Sequence, residues 1–209
     1  PVGVSGDAPG HGGVVAGAIF DPNRTMLGPV QKQRLKNDLL ASTAKHKIII
    51  SELAWQQWWA LPYDRWEGYE ADRQAVLRGL QGVKNVVFIT TDVHATLVND
   101  ARFQTLEAGG PKNSGITDVT VGPVATANFG REIDEATGTP GAGAAVDAAF
   151  FEPKPAQGGV GMTCSIVDQF SYGEVSVSKS QLVSTPKGIN GKQQQDADGP
   201  CGPFVFNFK

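Results

Sequence analysis

Residues 85–100, NVVFITTDVHATLVND, decide how this chain is read. The run from Val86 to Ile89 is continuously apolar and rich in β-branched residues, the pattern of a strand buried on both faces. Asp92 follows, then one spacer, then His94, one of three histidines in the chain. If this segment is extended, residues i and i+2 leave on the same side with Cα atoms about 7 Å apart. A carboxylate and an imidazole so placed can bind one metal or bridge two neighbouring ions. The end of an apolar strand is also where open α/β sheets gather their ligands. Oxygen and nitrogen donors suit Zn, Mn or Fe, and the carboxylate alone can serve Ca. The competing reading makes Asp92 a turn cap and His94 a satisfied core histidine. On these two residues alone the competing reading is the better one, because Asp-x-His is short and common.

The flanking sequence supplies a rhythm. GPVQKQRLKNDLLAST, from Gly28, puts Pro29 in a first helical turn and sets Val30, Leu35, Leu39 and Leu40 roughly along one face. KHKIIISE then reads as a short buried strand ending at Ser51 and Glu52. YDRWEGYEADRQAVLRGLQ reads as a helix, with Asp64 and Glu67 at capping-box spacing and Trp66, Tyr69, Val76, Leu77 and Leu80 as its apolar stripe. Helix, strand, helix, strand predicts an α/β unit with parallel neighbours. Residues 1–19 are a Gly-rich lead-in and residues 20–130 the α/β part. Residues 131–161, rich in Gly, Ala and Pro, read as a surface excursion, and residues 162–209 as a β-rich tail of alternating strands.

Composition excludes several functions. The chain has 209 residues, 40% of them apolar, enough for one domain with a real core. A net charge of −3 provides no basic field for nucleic acid. No run of about 18 apolar residues is present to serve as a transmembrane anchor. The sequence opens on Pro1 with no signal-peptide core after it, so a start at a cleavage point is expected. Cys164 and Cys201 are the only cysteines. They suit either a bridge closing a C-terminal loop in a secreted protein or two buried thiols.

Other candidates lie near these elements. Glu52 ends its strand as Asp92 ends the next, and could be a ligand, a general base or an ion-pair partner of Arg65 or Arg73, the last being preferred. All four tryptophans fall in LAWQQWWALPYDRWEGY. They could roof a pocket or plug the core; of the adjacent Trp58 and Trp59, one at least should face outward as a binding surface. Asn128 could coordinate metal or hold a phosphate oxygen, with a turn role preferred. His11 reads as an exposed loop residue and His46 as solvated surface.

RTMLGPVQKQRLKNDLLAST, LPYDRWEGYEADRQAVL and VKNVVFITTDVHATLVND, in this order and spacing, resemble the PhoD family. That family comprises metal-dependent alkaline phosphatases and related secreted phosphodiesterases described as phospholipase D. The resemblance runs from about Asp21 to Asn128. It implies the C-terminal part of a calcineurin-like metallophosphoesterase, a two-sheet sandwich flanked by helices. It also implies that Asp92 and His94 belong to a multinuclear metal site of iron and calcium, with zinc or manganese still compatible. Glu52, Trp58, Trp59 and Asn128 are then possible substrate or outer-shell residues.

The family's remaining ligands, a Cys, further Asp residues, a Tyr and an Asn, come mainly from an N-terminal half that nothing here matches. Cys164 follows the Asp-x-His segment and is not that Cys. A site that activates water between metals needs several ligands per ion. The expectation is therefore a nicked or partial enzyme, weakly active without its N-terminal portion as a separate chain or missing segment. The WEGY turn points to phosphodiesters such as phospholipids, with phosphomonoesters as the alternative. From another class, the aromatic surface would make the chain a non-catalytic module that binds a partner or ligand.

Overall fold

A computed structural model describes residues 16–58 and 65–208 of the chain. Among these residues the central element is a five-stranded mixed sheet of order β1-β2-β4-β3-β5. Its strands are β1 (Lys47–Ser51), β2 (Val86–Thr90), β3 (Thr96–Asp100), β4 (Thr117–Thr120) and β5 (Cys164–Ile166). β1, β2 and β4 run parallel, whereas β3 is antiparallel to both β4 and β5. The parallel neighbours expected from the helix–strand rhythm are thus present, β1 pairing with β2 from Lys47↔Val86 to Ser51↔Thr90.

Alternation along β2 builds two cores. Val86 and Phe88 face helix α3 (Glu70–Gly79) and pack with Trp55, Trp66, Val76, Leu77 and Leu80. Leu35 and Leu39 of α2 (Gly28–Ala41), which follows the short α1 (Ala16–Ile19), join that cluster, being one helical turn apart, while Val30 and Leu40 face solvent. Ile89 points the other way, into a cluster with Val98, Val119, Cys164, Ile166 and Cys201. Phe204 and Phe206 reach this cluster from β10 (Phe204–Asn207), an outer strand of a second, antiparallel sheet of order β10-β7-β6. Its other strands are β6 (Ser171–Val177) and β7 (Gln181–Gly188). Cys164 and Cys201 form a disulfide inside this layer. The short antiparallel pair β8 (Gln195–Asp196) and β9 (Gly199–Pro200) adjoins β5, whose Ser165 N donates to Asp196 at 2.8 Å.

Several local expectations change. Residues 131–161 are helical rather than irregular: α4 (Phe129–Thr137), α5 (Ala142–Val146) and a π-helical turn (Asp147–Phe151) pack on the main sheet through the buried Phe129, Phe151 and Val160. Small residues are there for contact rather than flexibility, since a Cβ on Gly143 would collide with the backbone of Gly130. The helix expected from residue 64 begins as a 3-10 turn (Trp66–Tyr69), and Asp64 lies outside the described residues. β1 is an edge rather than a buried strand; Ile50 is 83% exposed and Ile48 38%. His46 is not free surface, because its Nε2 lies 2.6 Å from the Ser178 carbonyl and its ring packs edge-on against Phe208. His11 lies outside the described residues.

Candidate active-site rim

The parallel strands end together. Thr91 N donates to the Glu52 carbonyl at 3.2 Å and Val121 N to the Thr90 carbonyl at 3.1 Å, so the C-terminal ends of β1, β2 and β4 form one rim. β4 sits between β2 and β3, so residues 91–95 must cross its end and reverse direction within two interstrand spacings of about 4.8 Å each. An extended chain cannot do this in five residues. Asp92 and His94 instead both adopt left-handed backbone, with φ of 73° and 60°, and Val93 N closes a tight turn on the Thr91 carbonyl at 2.9 Å. The same-side strand geometry expected for Asp-x-His is therefore replaced by a strained turn. Left-handed backbone costs an L-residue roughly 1–2 kcal/mol, and such strain concentrates where side chains must be aimed.

His94 is held from three directions. Val93 and Ala95 are buried on either side of it. Its carbonyl accepts from Phe129 N at 2.8 Å, and its Nδ1 lies 2.6 Å from Glu132 Oε1. An ionised carboxylate only accepts, so a neutral imidazole here donates from Nδ1 and keeps its lone pair on Nε2. Asp92 is exposed on the same turn, and Glu52 is exposed at the neighbouring strand end. The donor chemistry of Asp92 and of His94 Nε2 fits a first-row transition metal. Among the described residues, however, no group of three or more His, Cys, Asp or Glu is placed to hold an ion, so the fit is to part of a ligand shell.

The remaining candidates divide clearly. Asn128 is the N-cap of α4: its Oδ1 accepts from Arg131 N at 2.9 Å and its Nδ2 donates to the Asp168 carbonyl at 3.0 Å. Trp58 is 1% exposed and packs with Phe151, the Arg65 guanidinium 4.6 Å from its ring centroid; it is core, not a binding surface. Trp59 lies outside the described residues. The expected Glu52 ion pair does not form, because Arg65 pairs with Glu67 at 2.5 Å and Arg73 with Glu70 at 3.1 Å. Glu67, besides pairing with Arg65, accepts from Trp58 N at 2.9 Å.

Three acidic groups escaped the sequence reading. Glu132 was hidden by the Gly/Ala-rich texture, although Asn128 followed by a short amphipathic run is an N-cap signal. Asp118, fully buried on β4, accepts from Trp55 N at 2.7 Å, Gln56 N at 3.0 Å and Thr90 Oγ1 at 2.7 Å. Burial pushes its carboxyl up to about 6, against the lowering effect of those donors. Asp147 accepts from Ser165 Oγ beside a cavity of about 330 Å³ that Glu152, Asp168 and Asp196 also line. Burial, reinforced by those three carboxylates, raises it to about 7.

A family model described as PhoD-like phosphatase matches residues 10–179. Alkaline phosphatase D of Bacillus subtilis (strain 168) is 38% identical over 85 residues, which are 36% of this chain and 15% of that protein. A solved structure titled "Structure of PhoD" superimposes with a TM-score of 0.56 at 20% identity, over 90% of this chain and 33% of that one. The chain thus spans well under half the length of these relatives, and its fold is theirs over that span. With the family model matching most of its length, the chain belongs to the PhoD-like phosphatase family.

Proposed function

We propose that this chain carries one wall of the active site of a metal-dependent phosphoester hydrolase. The observation that carries the reading is the Asp92–His94 turn, strained and fixed at the common strand-end rim of a PhoD-like fold. Asp92 and His94 Nε2 would hold metal; iron and calcium are proposed from the family resemblance. Bound metal supplies a Lewis acid for phosphoryl oxygens and lowers the pKa of water. The rest of the shell is assigned to a further portion of the enzyme. Exposed Ile48 and Ile50 on β1, an edge strand among the described residues, support such a partner, since apolar side chains on a sheet edge are a surface that natural sheets cover. The Cys164–Cys201 disulfide favours a secreted protein.

The preferred substrates are phosphodiesters, phospholipids among them, on the strength of the WEGY segment. Phosphomonoesters are the second reading, favoured by the name of the Bacillus relative. The reading as a non-catalytic aromatic binding surface loses ground because Trp55, Trp58 and Trp66 are all buried. The test compares hydrolysis of bis(4-nitrophenyl) phosphate and 4-nitrophenyl phosphate, with metal analysis, for this chain alone and joined to its N-terminal portion. Activity should require the joined form and collapse in Asp92→Ala and His94→Ala. Full-rate hydrolysis by either variant would sink the metal-site assignment, and full activity of the chain alone would sink the incomplete-shell claim.

A further inference from the structure

We infer that Glu132 is the positioning residue for His94, fixing which imidazole nitrogen faces the rim; the inference rests on the metal-site reading above. Glu132 belongs to a helix whose first turn is anchored independently of it. Asn128 caps that turn and ties it to the Asp168 carbonyl, and Gly130 N donates to the Val167 carbonyl at 2.8 Å. The same turn grips the backbone of His94 through Phe129 N. Glu132 then reaches Nδ1 at 2.6 Å from a helix already registered against the histidine's own main chain. Backbone and side chain of His94 are thus referred to one rigid element.

The contact sets direction more than stability. Both side chains are partly exposed, at 32% and 42%, where an ion pair contributes little net free energy. A neutral imidazole, however, carries one proton, and a free one prefers it on Nε2. The Glu132 carboxylate, able only to accept, draws the proton to Nδ1 and leaves the lone pair on Nε2. Metal-ligating histidines are commonly held this way, and loss of the outer carboxylate costs roughly 10–100-fold in metal affinity.

The test uses the 209-residue chain with 15N-labelled histidine in mildly alkaline buffer. Long-range 15N–1H spectra should show His94 protonated at Nδ1, moving to the Nε2-protonated form in Glu132→Ala. Glu132→Gln, whose amide oxygen still accepts, should restore the original tautomer. Zinc additions followed on the same resonances should show affinity lower by about 10–100-fold in Glu132→Ala and nearly recovered in Glu132→Gln. A tautomer indifferent to Glu132→Ala would overturn the positioning role alone. Zinc that leaves His94 unmoved in the unsubstituted chain would overturn the metal-site reading, and with it the reason to position the ring.

Discussion

Two polar clusters stand near the same strand ends and are built in opposite ways. Around Asp118 the carboxylate receives two backbone N–H groups and a hydroxyl, and Gln56 Nε2 donates to the Leu97 carbonyl and to Thr120 Oγ1, both at 2.9 Å. This network holds the segment after β1 in place so that Trp55 can stack on Trp66 and Phe88, at centroid distances of 3.7 and 4.7 Å. In the 91–95 turn, by contrast, the Asp92 and His94 side chains are exposed or half-exposed, the backbone is strained at both, and a neutral His94 keeps one ring nitrogen open. A buried carboxylate with its acceptor capacity filled serves the fold. A costly conformation that frees a lone pair at a rim serves chemistry.

Substitutions can break this contrast. In the joined enzyme, Asp92→Ala and His94→Ala should each cost at least about 100-fold in kcat/KM, since ligands matter no less than their outer-shell partners, with folding left near normal. Asp118→Asn should do the reverse. An amide oxygen can keep the two backbone N–H groups, but the amide NH2 then faces Thr90 Oγ1, which must give up its role as donor. A loss of about 1–3 kcal/mol in urea unfolding is expected, with catalysis per folded molecule retained. Cleavage of the disulfide by Cys164→Ser with Cys201→Ser should lower stability by about 4 kcal/mol at most, from the entropy of a loop with sequence separation 37.

Smaller effects sharpen it. Asp147 has a folded-state pKa raised to about 7 from an ordinary 3.8, so the folded form holds its proton more tightly. Its contribution is fully present below about pH 4 and is lost as pH rises toward 7. The Asp147→Asn variant should therefore lose that slope, seen as a Tm difference from the parent that changes between pH 4 and 7. At Asp92, the Gly and Ala variants both lack the carboxylate and differ only in backbone. Asp92→Gly should be the more stable by about 1 kcal/mol, because φ of 73° suits glycine. Equal stability of the two would remove the strain argument.

Much of the architecture was legible because apolar runs and periodicity report burial directly. β1, β2 and α3 fall where their patterns put them, and Asp92 and His94 stood out as polar residues after a buried run. Long-range partners were not legible. Glu132 is 38 positions from His94, in a stretch whose small residues look like a loop until α4 and α5 are seen packed Gly130 against Gly143. The exposed face of β1 was equally hidden, since an isoleucine run reads the same at a sheet centre and at its edge.

The sequence by itself determined the α/β rhythm, the family resemblance and the identity of the two candidate ligands. Those depend on residue type and spacing alone. Tertiary structure decided that β4 lies between β2 and β3, and this forces the Asp92–His94 turn into left-handed backbone and brings α4 against it. Strand order is set by which faces can be buried together, a property of the whole chain that no local window contains.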